Sequence, residues 1–74
     1  MSYREAYTKA IIRALREEDL TFDSLKRKVK EEGLENYWLM REALLQLMKE
    51  GIVEKYPDYE CKKFKFRLKS YDRS

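Results

Sequence analysis

The chemistry this chain could do is concentrated near its end. Residues 62–69 hold five basic side chains and no acid. Within them Lys63, Lys65, Arg67 and Lys69 alternate with Phe64, Phe66 and Leu68. A period of two belongs to a β-strand, whose successive side chains point to opposite faces. One face would be apolar and the other a cationic strip. Such a strip can neutralise phosphates, each contact adding about 0.9 to the log–log salt slope of nucleic-acid binding. The same pattern suits an exposed strand that lysines keep soluble and unaggregated. A second basic group, Lys26, Arg27, Lys28 and Lys30, reads as a solvated helix face or as a further approach to a polyanion backbone.

Catalysis finds little support. General acid–base work near neutral pH recruits His or a buried carboxylate, and the chain has no His. Gly33 and Gly51 stand alone, so there is no glycine-rich phosphate loop. Ser24 and Cys61 have no base partner of the usual type, and carboxylates fall in runs such as Glu17-Glu18-Asp19. One cysteine and no histidine do not suit zinc. We expect no catalytic residue, metal, cofactor or small-molecule ligand. Cys61 cannot form an internal disulfide. It is either inert or available to a second chain.

The 74 residues are enough for one small domain with a thin core. No apolar run approaches the roughly 18 residues of a membrane span. The opening MSYREAYTK lacks an apolar signal segment, so a cytoplasmic protein is expected. Heavy use of Lys, Glu and Arg resembles a hyperthermophile composition. The formal net charge is +3, and its excess lies late: residues 52–74 carry seven basic and four acidic side chains. Residues 34–51 carry two and three.

Three helical segments and one hairpin must position these groups. Tyr3, Tyr7, Ala10, Ile11, Ala14 and Leu15 recur at helical spacing and predict a helix over 3–17. Ile12 lies at the edge of that stripe, and with Tyr3 and Tyr7 it could form a two-fold contact between copies. Thr21 suits an N-cap, with Leu20 and Leu25 as a hydrophobic staple. Phe22, Leu25 and Val29 form the second stripe, and Gly33 ends that helix with Leu34 folding back. Asn36 caps a third helix from Tyr37 to Glu50, stopping at Gly51. Its core arc is Tyr37, Met40, Ala43, Leu44, Leu47 and Met48. Trp38, Leu39 and Leu45 fall outside the arc. They either pack on neighbouring elements or make a contact surface, such as a homodimer interface or, for Trp38, a stacking site. After Gly51 the period changes to two. Ile52–Tyr56 and Lys62–Lys69 read as the strands of a hairpin turning at 57–61, and residues 70–74 as a frayed tail.

The order is helix, short extended Leu20-Thr21-Phe22, helix, turn, helix, hairpin. Leu44 and Leu47 stand seven and four positions before Gly51, followed by Ile52-Val53 and the charged strand Phe64-Lys65-Phe66-Arg67-Leu68. From about Tyr3 to Leu68 this pattern resembles the winged helix-turn-helix family, particularly its small archaeal and archaeal-virus regulators. The resemblance implies an α+β fold, a three-helix core with a C-terminal two-stranded β-hairpin. It further implies a double-stranded DNA-binding transcriptional regulator, acting as a homodimer. In that family the third helix, here about 21 Å long, enters the major groove, and the hairpin touches neighbouring phosphates or the minor groove. By position the groove-facing candidates are Asn36, Trp38, Arg41, Glu42 and Gln46. Asn and Gln can pair with adenine, Arg with guanine, and Glu can accept from cytosine. Each has a plainer reading: a cap for Asn36, a solvated acid for Glu42, a surface ion pair for Arg41. The net-acidic stretch 34–51 with Trp38, Leu39 and Leu45 also fits a protein-interaction module on the same fold. RNA binding through the basic strand and tyrosines is a third possibility.

Overall fold

The structure is a computed structural model, and it describes residues 3–69. The elements run α1 (Tyr3–Glu17), β1 (Leu20–Thr21), α2 (Phe22–Lys30), α3 (Tyr37–Lys49), β2 (Val53–Asp58) and β3 (Lys63–Leu68). The fold is α+β: three helices packed on an antiparallel sheet. That sheet has three strands in the order β1-β3-β2, where a two-stranded hairpin was expected. The extra strand comes from the N-cap of α2. Thr21 accepts a hydrogen bond from the Ser24 amide and sits in extended backbone. The two extended residues therefore lie ready to pair, Leu20 with Phe66 and Thr21 with Lys65. Leu20 is buried, so pairing satisfies backbone groups while the side chain enters the core.

One core joins all these elements. It contains Tyr7, Ala10, Ile11, Ala14 and Leu15 of α1, Leu25 and Val29 of α2, and Met40, Ala43, Leu44 and Leu47 of α3. Leu20, Val53 and Phe66 close it from the sheet. Phe22, Leu34, Leu39, Met48 and Leu68 are half-buried against it. Two residues expected inside are not. Tyr3 is 79% exposed, because the buried stripe of α1 begins a turn later at Tyr7. Tyr37, the first residue of α3, is also exposed and is covered on one side by the edge of Phe22.

Boundaries differ in instructive ways. α2 stops at Lys30 and continues as a turn, 31–33, where Gly33 takes a positive φ. α3 closes in a Schellman motif: Gly51 N–H bonds Met48 C=O and Ile52 N–H bonds Leu47 C=O. β2 starts later than expected and continues through Pro57 to Asp58. The proline is tolerated because β2 is an edge strand, where alternate amides face away from the sheet. The hairpin loop is thus 59–62. Asp58 Oδ1 accepts from the Glu60 and Cys61 amides to hold it. The tail predicted for residues 70–74 lies outside the described residues. Among the described residues no helix is long and apolar enough to cross a membrane.

Candidate nucleic-acid interface

The β2–β3 register decides the electrostatics of the hairpin. Glu54 sits opposite Arg67, Tyr56 opposite Lys65 and Asp58 opposite Lys63. Directly paired residues share a face, so the basic strip meets acids that the sequence of β3 does not contain. Lys65 bonds Asp58 at 2.9 Å, Arg67 pairs with Glu54, and Lys63 lies 3.9 Å from Asp23 of α2. Only Lys69 of the four has no ion pair with another described residue. Tyr56 anchors the middle of this face. Arg67 lies over its ring at 4.7 Å, and its hydroxyl donates to Asp19 Oδ2 at 2.6 Å. The hydrogen bond to Asp19 holds the phenol above its ordinary pKa. The hydrogen bond from Lys65 pulls the Asp58 carboxyl below its ordinary range, and the same bond raises Lys65. The uninterrupted cationic strip expected here is a set of ion pairs instead.

On α3 the expected groove residues divide. Asn36 spends its side chain as a cap, accepting from the Leu39 amide at 3.1 Å. Its own amide donates to the Tyr7 hydroxyl at 2.7 Å. Glu42 pairs with Arg4 of α1, and Gln46 bonds Glu50. Trp38 and Arg41 remain open: Trp38 is 68% exposed, and Arg41 has no ion partner among the described residues. With Leu45, 46% exposed, and Lys49 they lie along the solvent side of α3. Of the suggested inter-chain contacts, Tyr7 is withdrawn, being buried within its own chain. Ile12 and Leu39 are half-buried, which leaves Tyr3 and Leu45. Among the α2 lysines, Lys28 pairs with Glu17 and Lys30 with Glu35.

The opposite face of the hairpin carries a feature that sequence reasoning missed. Phe64 and Phe66 share it with Lys55, which pairs with Phe66 across the strands and lies 4.6 Å above the Phe64 ring. Phe66 meets Phe22 edge-on at 6.5 Å, Phe22 meets Tyr37 at 5.9 Å, and Tyr37 meets Trp38 at 5.4 Å. Lys26 stands 5.4 Å above the Tyr37 ring. An aromatic chain therefore runs from the middle of β3, past the start of α2, to the start of α3, and Phe64 lies on the same strand face two residues before Phe66. Its cations Lys26, Lys55 and Arg41 have no ion pair with a described residue. Glu35 shares a cleft with Lys26 and Tyr37 but faces Lys30. The signal for this face was hidden, because Val53-Glu54-Lys55-Tyr56 does not alternate. Only the register puts Lys55 with the aromatics.

Among the described residues no group of three or more His, Cys, Asp or Glu is placed to hold a metal. Cys61 is exposed at the loop, its Sγ 3.7 Å from Asp58 Oδ2. In comparisons with known proteins the chain matches no family model, no curated protein and no solved structure.

Proposed function

We propose that this chain is a winged helix-turn-helix protein that binds double-stranded DNA without catalysing a reaction, most simply a cytoplasmic transcriptional regulator. Support comes from the element order, with a short strand between the first two helices, and from the solvent side of α3. The observation that carries the reading is a set of cations free of ion pairs with described residues, Lys26, Arg41 and Lys55, beside an uncovered α3. α3 enters the major groove and the hairpin lies along the phosphates. A homodimer puts two such helices in successive grooves, with half-sites about 34 Å apart. Regulation is by occupancy.

Salt titration of duplex binding tests this. Affinity falls steeply with salt. Replacing Lys26, Arg41 and Lys55 together with Ala lowers the log–log slope by up to about 2.7, the worth of three phosphate contacts. The Lys63, Lys65 and Arg67 triple changes it less, since each of those cations already faces a carboxylate. No measurable affinity at low salt overturns the DNA reading. The neutralised hairpin face, with Trp38 and Leu45 exposed, then favours the second reading, a protein-interaction module.

A further inference from the structure

We propose that the aromatic surface formed by Phe64, Tyr37 and Trp38, flanked by Lys55, Lys26 and Arg41, binds unpaired bases of a DNA strand. The inference rests on the DNA reading above: the same three cations hold a phosphate backbone in either form, and the rings add the capture of unpaired bases.

The rings impose the choice. Within this surface the Tyr37 and Trp38 rings stand 5.4 Å apart and are inclined by 82°. Duplex bases are parallel, about 3.4 Å apart, and cover one another's faces. An intact stack therefore offers nothing that these rings can lie against. Bases turned out of a stack do, because every base then has a free π-face. Exposure agrees with this use. Trp38 is 68% exposed and Phe64 53% exposed, while half-buried Phe22 and buried Phe66 tie Tyr37 to the core.

Charge identifies the occupant. An apolar protein partner would meet three cations lacking ion partners among the described residues. A single strand brings both a backbone anion for Lys26, Lys55 and Arg41 and flat rings for the aromatics. The outer face of the same hairpin lacks this pairing, because its cations face Asp23, Glu54 and Asp58.

The chain has a single tryptophan, so its emission reports this site. The probes are a short mixed-sequence DNA strand, the same strand annealed to its complement, and its RNA counterpart. We expect the DNA strand to quench Trp38 emission in the wild-type chain. By fluorescence anisotropy with labelled strands, Trp38→Ala and Phe64→Ala should each weaken single-strand binding about five- to a hundredfold, and duplex binding far less. Both rings are exposed, so neither variant should unfold, and circular dichroism checks this. Trp38→Phe should keep part of the affinity. Duplex binding with unchanged emission, and equal affinities of Trp38→Ala and wild type for the single strand, overturns this inference and leaves the duplex reading standing. Preference for the RNA strand overturns the assignment to DNA. No affinity for any of the three at low salt removes the DNA reading itself.

Discussion

Tyr7 shows how much the type and spacing of one side chain leave open. A tyrosine on a helical stripe suggests a core residue or a contact between copies, and both were open. In the fold it is buried and its hydroxyl accepts from the Asn36 amide, joining α1 to the cap of α3. Losing that part-buried hydrogen bond typically costs about 1 kcal/mol. Tyr7→Phe should therefore lower the melting temperature by several degrees, since about 1 kcal/mol is worth roughly 4 to 8 °C in a domain this size. Unchanged thermal stability of the variant would show that the hydrogen bond is not formed. Asn36 illustrates the same point from the other side: its amide oxygen is already engaged, so base reading by it would require breaking the cap.

The hairpin is the element whose character changed most. Its two strands were visible in the alternation of Phe64, Phe66 and Leu68 with basic residues. Its charge was not, because the acids come from β2 and α2. This arrangement predicts how hairpin stability responds to pH. Asp58 has a depressed pKa, so its contribution is present above the ordinary value of 3.8 and is lost as pH falls through the lower folded value. Tyr56 and Lys65 have raised values. Their contributions are present below 10.0 and 10.5 and are lost as pH rises through the folded values. Thermal melts should be level between these limits and fall on both sides. Asp58→Asn should flatten the acid limb, and a limb unchanged in that variant would assign it to other carboxylates.

For the molecule as a whole, the question is what covers the exposed apolar groups. Two of the five suggested inter-chain residues, Tyr3 and Leu45, are open on the surface. A dimer of the proposed kind should sediment at twice the 9.1 kDa chain mass at tens of micromolar, and Leu45→Asp should return it to the monomer. Mass at the monomer value in the wild-type chain would remove the homodimer from the proposal. The aromatic surface belongs to this level too. It is assembled from β3, the first residue of α2 and the first turn of α3, and no stretch of sequence contains it.

Local pattern alone determined the three helices, their caps at Thr21 and Asn36, the stop at Gly51 and the existence of two late strands. Helical and strand periods, caps and C-terminal glycines act over a few residues, and the chain carries them openly. The third strand, the neutralised basic strip, the hydrogen bond between Tyr7 and Asn36 and the joined aromatic surface came from long-range pairing. Each depends on strand register or on which helix end meets which sheet edge. A shift of one residue in register would turn Lys55 and every neighbour on its strand to the other face, and only packing of the whole core selects among such registers.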